Sequence, residues 1–488
     1  MNYESLKSGT DIRGVATDKG GKAVTLTDSA VYDITSAFAV WLKAKVNKDD
    51  IKVSVGRDSR ITGPAIMERA ESALVNSGFT VMNCGLSSTP AMFMTTLEAD
   101  CDAALQITAS HHPFDRNGLK FFTKDGGLNS GDILEIISLA NAQKHLEGQK
   151  GRVIKTDFMQ NYAAHLRKMI CEAVCKSETD LPLKNYKIIV DAGNGAGGFY
   201  AYDVLEKLGA DITGSQFLNP DGTFPNHIPN PENKEAMQSI KNAVLNNKAD
   251  LGLIFDTDVD RAGCVDKEGE TINRNRLIAL ASYIAVNGQK GKTIVTDSVT
   301  SDGLHDYIEN HLNCNHYRFK RGYKNVINKA EEFCLEGIDT PLAIETSGHA
   351  AFKDNYFLDD GAYLVTKIVI ELAKGNDIEE ILKPLIIPTE EKEVRFNILT
   401  EDFKTYGEGI IKKLEAFVNE NPQYIMAPDN REGLRVNTEN GWFLLRLSVH
   451  DPVVVMNFES RVNGGINNDI IALKPFLQQF DKLDISNL

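Results

Sequence analysis

Strongly basic stretches, long apolar runs and paired cysteines are what this sequence has little of. Its 53 lysines and arginines are outnumbered by 68 aspartates and glutamates, for a formal net charge of −15. That balance excludes a general nucleic-acid or anionic-membrane binder, while a small basic pocket for a phosphorylated ligand remains compatible with it. No apolar run reaches the roughly 20 residues that a bilayer span needs. The start, MNYESLKSGTDIRG, carries no apolar stretch of the kind a secretory signal requires. The seven cysteines are odd in number and scattered. Cys171 and Cys175 lie one helical turn apart, but no second pair completes a zinc set. Reduced thiols in a cytoplasmic protein are the expectation, with no nucleic-acid or membrane partner.

What is present is the composition of an ordinary globular chain: 488 residues, 42% hydrophobic and 25% charged. At roughly 100–200 residues per domain, three or four domains are expected. Short β-rich runs alternate with helical patterns. KVSVG (Lys52–Gly56) reads as a strand, PAIMERAESALVNSG (Pro64–Gly78) as a helix closed by glycine, and FTVMNCG (Phe79–Gly85) and DAALQIT (Asp102–Thr108) as further strands. The rhythm returns at YKIIVDAG, FYAYDVLEKLG (Phe199–Gly209, helix) and ADITGSQF (Ala210–Phe217, strand), and again at GKTIVTDSV and SDGLHDYIENH. Three such blocks predict mixed α/β units with mostly parallel sheets. The tail differs: EVRFNIL, a helix near Asp402–Asn419, GWFLLRLSV and PVVVMNFES predict a smaller α+β domain with an antiparallel sheet. The expected domains are 1–155, 156–274, 275–387 and 388–488.

Four stretches carry chemistry. In TASHHPFDRNGLKFF, Ser110 follows a buried strand, His111 is a candidate acid or base near neutral pH, Lys120 is a candidate phosphate neutraliser, and Asn117-Gly118 predicts a tight turn folding Lys120 back toward the serine. In DLGLIFDTDVDRAG, an apolar strand delivers Asp256, Asp258 and Asp260 at alternate positions, which point one way in an extended chain. Three convergent carboxylates repel one another without a cation, and an open oxygen set suits Mg²⁺. A calcium EF-hand is rejected, because Arg261 stands where glycine is needed and Lys267 where glutamate is. In PLAIETSGHAAF, Glu345, Ser347 and His349 stand at period two, a donor and acceptor pattern that suits a polyol. In FLLRLSVHDPVV, Arg446, Ser448 and His450 follow a β-run, and an arginine fork beside a hydroxyl suits a phosphate.

DAGNGAGG holds Gly193, Gly195 and Gly198 in a G-x-G-x-x-G spacing between a strand and a helix. Asp191 at the strand end opposes a pyrophosphate, and no ribose-binding acid follows, so a structural turn is expected rather than a dinucleotide site.

With these loops in chain order, the sequence resembles the α-D-phosphohexomutase superfamily, in its phosphomannomutase/phosphoglucomutase branch. The resemblance covers essentially the whole chain. TASHHP answers to the family's T-A-S-H-N-P serine loop, DTDVDR to its D-G-D-x-D-R metal loop, IETSGH to its G-E-x-S-G-H sugar loop and RLSVHDP loosely to its R-P-S-x-T-E-P phosphate loop. DIRG (Asp11–Gly14), VGRDSR (Val55–Arg60) and DGTFPNHIPNPE (Asp221–Glu232) are similar to family stretches as well. His112 stands for asparagine, Leu447 for proline, Val449 for a polar residue, His450-Asp451 for Thr-Glu, and Tyr323 where relatives carry histidine or an acid.

The resemblance implies four domains around a central cleft, three of them related α/β units. It implies phosphate transfer between C1 and C6 of a glucose or mannose phosphate through a phosphoserine at Ser110 and a hexose 1,6-bisphosphate, which is also the activator. Mg²⁺ would sit on Asp256, Asp258, Asp260 and the phosphorylated Ser110. His111, Lys120 and Arg261 would be catalytic, and Arg13, Glu345, Ser347, His349, Arg446 and Ser448 substrate-binding. The chain would be a monomer or homodimer. Two rival readings are a haloacid-dehalogenase-type phosphatase with Asp256 as nucleophile, and a phosphosugar-binding protein without turnover.

Overall fold

The computed structural model describes residues 2–146, 149–448 and 451–488. The chain packs as two compact units. The first takes the residues up to Asn273 together with Ser347–Ala351 and Leu358–Glu379, and the second takes Arg274–Thr346, Phe352–Phe357 and Glu380–Leu488. Among the described residues no helix is long and apolar enough to cross a membrane.

In the first unit, strand Lys52–Arg57 runs parallel to Thr80–Leu86 on one side and to Ala103–Ile107 on the other. The chain leaves it through helix Gly63–Asn76 toward one neighbour and reaches the other through helix Thr89–Glu98. Connections that part in opposite directions open a crevice beyond the carboxyl ends of the strands, where ligands of open α/β sheets bind. Ala103–Ile107 is buried throughout, as expected of a run in the middle of a sheet with both faces covered. Arg116–Thr123 then pairs antiparallel with it and with Asp11–Val15. Helix Asp28–Val46 closes one face. It starts where the Thr27 hydroxyl accepts the Ala30 N–H at 3.2 Å, and Phe38 packs on Phe121 at 4.5 Å between ring centres.

The pattern recurs in the same unit. Strand Ile188–Asp191 runs parallel to Leu251–Phe255 and is flanked on its other edge by isolated parallel bridges from Asp211 and Gln216. The sequence predicts a regular helix over Phe199–Gly209 and a strand over Ala210–Phe217. The chain instead forms a π-helix at Tyr200–Leu205 that tightens into a 3-10 turn at Glu206–Leu208. The following segment makes only those two bridges, because Gly214 turns the backbone to a φ of 103° between them.

In the second unit, strand Thr293–Asp297 lies between parallel Asn315–Phe319 and Leu342–Ile344, so it too stands where the connections part. The α+β domain follows. Glu390–Ile398, Val453–Ser460, Gly441–Leu447 and Leu434–Asn437 form an antiparallel sheet in that order, with helices Phe403–Glu420 and Gly465–Leu477 sharing its core through Ile410, Leu414, Leu473 and Phe476. Three mixed α/β units followed by a smaller α+β domain is the fold class that the alternation of elements predicts.

Candidate active site

Ser110 sits just past strand Ala103–Ile107 with a φ of 49°. A residue with a β-carbon held in the left-handed region costs about 1–2 kcal/mol, so something must hold it there. The Thr108 hydroxyl accepts the Ser110 N–H at 2.8 Å and donates to Asp58 Oδ2 at 2.8 Å. Arg60, fully buried, then uses its whole guanidinium on this loop. Nε donates to Asp58 at 3.1 Å, Nη1 to the carbonyls of Pro113 and Arg116 at 2.7 and 2.9 Å, and Nη2 to those of His112 at 2.7 Å and of Ser110. The sequence reading named VGRDSR only as a family-like stretch and missed Arg60 as a positioning residue. A charged pair spaced Asp-x-Arg at the end of a buried strand was the available signal.

The Asn117-Gly118 turn expected from the sequence does not form, for both residues lie inside strand Arg116–Thr123. Gly118 is glycine for space: a β-carbon there would stand 2.3 Å from the Ile12 carbonyl and 2.7 Å from that of Thr108. Lys120 faces the site by strand register instead, opposite Gln106.

The three aspartates converge differently from the extended segment that their spacing suggested. Leu251–Phe255 pairs antiparallel with Ala262–Asp266, Phe255 facing Ala262, so residues 256–261 form the turn of a hairpin. Val259, between two of the acids, is buried with a φ of 68°, a conformation in which a β-branched residue is an outlier. Its carbonyl accepts the Gly361 N–H at 3.0 Å, and a β-carbon at Gly361 would lie 2.6 Å from the Arg261 carbonyl carbon. On the other side, helix Thr89–Glu98 points its N-terminus at the turn. The Thr89 N–H donates to the Asp258 carbonyl at 2.8 Å and the Thr89 hydroxyl to the Asp258 carboxylate, a favourable place for negative charge.

The carboxylate oxygens of Asp256, Asp258 and Asp260 lie within 4.8 Å of one another, and all three side chains are buried. Burial, Asp260 and Asp258 push the Asp256 carboxyl well above its usual value. Burial and Asp260 push Asp258 up to about 6. Asp260 is held low despite burial by Lys120, whose Nζ is 2.9 Å away, and by His349 and Arg261. Asp258 Oδ1 and Asp260 Oδ1 are buried without a hydrogen-bond partner. Mutually repelling carboxylates with oxygens to spare fit a hard divalent cation such as Mg²⁺.

Ser110 Oγ lies at the edge of this set. It is 3.2 Å from Asp256 Oδ2, 3.2 Å from the donating Arg261 Nη2 and 3.3 Å from His111 Nδ1. Arg261 also donates to Asp256 through Nε and Nη2 at 3.2 and 3.1 Å. The surrounding protein and the charges of Arg261, His112 and Arg13 push the His111 imidazole below its ordinary pKa, which keeps it neutral. His349 goes the other way. Burial alone would lower it, but Asp359 in contact with Nδ1, and Asp260, raise it to about 9. Asp260, His349 and Asp359 also have ligand atoms close enough to share a cation, yet an imidazole held protonated by Asp359 reads as an ion pair. The loop bearing His349 is a turn and not the period-two strand expected, with Gly348 at a φ of 92° and a backbone bridge from His349 to Arg261. Arg13, on strand Asp11–Val15, pairs with Asp11 at 2.7 Å and faces Gly118 across the sheet.

The glycine-rich DAGNGAGG turn is filled by the protein itself. A β-carbon at Gly195 would stand 2.5 Å from the Thr257 carbonyl oxygen and one at Gly198 2.2 Å from that of Leu218. Asp191 is taken by the Gly193 N–H at 2.8 Å, by Gln216 at 2.6 Å and by His227 at 2.9 Å.

The other expected residues belong to the second unit, apart from Ser347, which lies in the first and whose buried hydroxyl has no hydrogen-bond partner. Glu345 follows strand Leu342–Ile344 and accepts the Gly322 N–H at 2.6 Å. Arg446 is the penultimate residue of strand Gly441–Leu447, buried, its Nη2 4.0 Å from Glu393. Ser448 accepts the Asp451 N–H at 3.2 Å. Val449 and His450 lie outside the described residues.

Comparison with known proteins gives this geometry its context. Residues 6–147, 160–269 and 273–387 match the phosphoglucomutase/phosphomannomutase α/β/α domains I, II and III in order. A phosphoglucomutase of Neisseria meningitidis serogroup A is 31% identical over 463 residues, 93% of each chain. The chain belongs to the phosphoglucomutase/phosphomannomutase family. A phosphomannomutase/phosphoglucomutase of Pseudomonas syringae is 30% identical over 479 residues, 96% of this chain and 95% of that one. The crystal structure of a phosphoglucomutase/phosphomannomutase family protein from Burkholderia thailandensis superposes with a TM-score of 0.80 at 26% identity, covering 98% of both chains. Within this mutase family, Thr89 and Asp359 also escaped the sequence reading. Their partners Asp258 and His349 lie on other segments of the chain, and nothing local marks them.

Proposed function

We propose that this phosphohexomutase-family chain interconverts the 1- and 6-phosphates of glucose or mannose through a phosphoserine at Ser110. The observation that carries the reading is the Ser110 hydroxyl, 3.2 Å from both Asp256 and Arg261 at the edge of the buried aspartate set. In the first half-reaction the Oγ–P bond of phosphoserine 110 breaks as a bond from a sugar hydroxyl oxygen to phosphorus forms. The hydroxyl proton passes to a base, and the freed Ser110 oxygen takes up a proton. The bisphosphate then turns over, and the second half-reaction runs the step in reverse at the other end: the sugar oxygen–phosphorus bond breaks, Ser110 Oγ gives its proton to a base and bonds to phosphorus, and the released sugar oxygen takes up a proton. A hexose 1,6-bisphosphate would charge the serine of the resting enzyme.

Phosphoryl transfer is mainly positioning and charge stabilisation. Arg261 is placed to donate to the oxygen that is released. Lys120 holds Asp260 ionised and adds positive charge beside the moving group. Neutral His111, 3.3 Å from Ser110 Oγ, is placed to hydrogen-bond the serine oxygen, although its lowered pKa makes it a weak base, and charged His349 is suited to donate a proton. Asp256, Asp258 and Asp260 would hold Mg²⁺, which when bound supplies positive charge to a phosphoryl oxygen. Arg13, Glu345, Ser347, Arg446 and Ser448 would bind the hexose phosphate.

The test incubates the protein with Mg²⁺ and labelled glucose 1,6-bisphosphate, then assays glucose and mannose 1-phosphates by coupled detection of the 6-phosphates. Acid-stable label on Ser110 with turnover is expected. Acid-labile label on Asp256 would select the phosphatase reading, and binding without turnover the non-catalytic one.

A further inference from the structure

In the second unit, three chain segments that the sequence reading did not join meet at the carboxyl end of strand Thr293–Asp297. Asp297 is buried there. Its Oδ2 accepts the Thr346 hydroxyl at 2.6 Å and faces Arg321 Nε at 3.3 Å, while Oδ1 is without a hydrogen-bond partner. Arg321 lies between strand Asn315–Phe319 and helix Tyr323–Leu335, next to Gly322, whose φ of 111° admits only glycine and whose N–H holds Glu345. The third segment comes from the α+β domain. Half-buried Glu432 precedes strand Leu434–Asn437, and its Oε2 accepts the Arg321 backbone N–H at 3.1 Å and the Ser298 hydroxyl.

The donors on Glu432 are a backbone N–H at the start of a helix and a serine hydroxyl, beside an arginine, which is the set that phosphate oxygens take. Arg446 stands beside this segment: a β-carbon at Gly433, next to Glu432, would lie 2.9 Å from the Arg446 Cα and Cβ. Its buried Nε has no hydrogen-bond partner. Its guanidinium is destabilised by burial and then by the like charge of Arg321, with Glu432, Glu393 and Asp297 offsetting. An arginine with an unused buried donor thus stands beside a carboxylate whose hydrogen bonds come from a backbone N–H and a hydroxyl.

We propose that Arg321 and Ser298 join Arg446 in gripping the phosphate of the hexose phosphate that is not reacting, and that Glu432 is a resident anion which this phosphate displaces. The inference rests on the proposed function for the identity of the ligand. It assigns Arg321 and Glu432 roles in substrate affinity: Arg321 adds to it, and Glu432 competes with the ligand and lowers it.

The experiment is a double-mutant cycle on the full chain, read as binding of glucose 6-phosphate and of inorganic phosphate by calorimetry, and as KM and kcat where turnover occurs. Arg321→Ala should weaken binding roughly 10- to 100-fold, the loss expected of one charge-assisted hydrogen bond or two. Glu432→Gln keeps an acceptor for Ser298 and the Arg321 N–H but removes the competing charge, and should tighten binding about three- to ten-fold, with the change in KM rather than kcat. In the Arg321→Ala background the gain from Glu432→Gln should vanish. Unchanged or weaker binding by Glu432→Gln overturns the proposal, as does an equal gain in both backgrounds, which would make Glu432 a source of general repulsion. Thermal unfolding of Glu432→Gln guards against misreading a loosened contact as an affinity effect, and a variant that unfolds early is replaced by Glu432→Ser. If Ser110 is labelled and turnover is normal while the cycle shows no coupling, this inference alone fails. If the cycle behaves as expected while the wild-type protein never interconverts hexose phosphates, the proposed function fails and the anion site stands.

Discussion

Arg60→Lys tests whether the Ser110 loop is held from beneath rather than shaped by its own sequence. The arginine makes five hydrogen bonds, one to Asp58 and four to carbonyls of Ser110, His112, Pro113 and Arg116. A lysine keeps the charge but has three donors on a single nitrogen, so at least two of the five acceptors lose their partner. Each buried acceptor left unsatisfied costs about 1–3 kcal/mol, which places the loss at roughly 2–6 kcal/mol if the loop stays where it is. The loop has a cheaper escape. It can swing into water, recover hydration for its carbonyls and release the left-handed strain at Ser110, worth about 1–2 kcal/mol. Two outcomes are therefore linked: the measured destabilisation should fall near the lower end of that range, and turnover should drop by orders of magnitude because Ser110 no longer stands 3.2 Å from Asp256 and Arg261. The assays are urea unfolding of the variant, hydrogen exchange of the amides around residues 108–116, and hexose phosphate turnover with saturating bisphosphate. Arg60→Lys with wild-type stability, protection and turnover would refute the reasoning. Lost stability with intact turnover would show that Arg60 supports the fold but does not place the serine.

Ser110→Ala should abolish turnover and phosphate labelling while changing stability by no more than about 1 kcal/mol, since the side chain's partners are themselves paired; labelled protein from the variant would reject Ser110 as the acceptor. Gly361→Ala should destabilise by about 1–3 kcal/mol and weaken Mg²⁺ binding measured by calorimetry, because the added carbon meets backbone at Arg261 and Val259 that cannot give way; unaltered metal affinity would show that the turn does not depend on this brace. Glu459 is buried beside Asp302, and desolvation followed by that charge raises its carboxyl to about 7 from 4.5. The folded state then binds the proton more tightly than the unfolded, so its contribution is full below about pH 4.5 and is lost as pH rises to about 7, by an amount on the order of 3 kcal/mol. Glu459→Gln should remove that slope, gaining stability at pH 8 and little at pH 4.5 in parallel urea titrations; equal effects at both pH values would sink the account.

The sequence made the strand ends legible because an apolar run that stops at a polar cluster is visible without knowing any turn. Ser110 after DAALQIT, Asp256 after LGLIF and Glu345 after PLAI all fall at carboxyl ends of strands. How those clusters turn was not legible. Period-two spacing suggested extended chain for Asp256–Asp260 and for Glu345–His349, whereas both are tight turns. Val259 gives no warning of its positive φ, since β-branched residues ordinarily avoid it; the conformation is imposed by Gly361 and Thr89, which are distant in the chain. Asn117-Gly118 misled for the converse reason. A dipeptide that favours turns was used where a strand had no room for a side chain. Arg60, Thr89 and Glu432 are likewise defined by partners 50 to 169 residues away, a relation that local reading does not contain.

Charge arithmetic in the first unit joins these observations to one requirement. Asp256, Asp258, Asp260 and Asp359 are set against Lys120, Arg261 and the protonated His349, one negative charge in excess when all are ionised. The raised pKa values of Asp256 and Asp258 register that excess. A phosphoryl group on Ser110 adds about −1.5 to −2 within contact distance of Asp256, which the three cations, already paired, cannot absorb. A divalent cation on the aspartates returns the balance almost to its starting value. Metal and a phosphoserine at Ser110 would therefore favour each other's presence, and by linkage the coupling runs both ways: the phosphorylated protein should bind the cation more tightly than the unphosphorylated one. Paired cations that leave no surplus are consistent with the proposed transfer of a phosphoryl group from Ser110 to either end of a sugar.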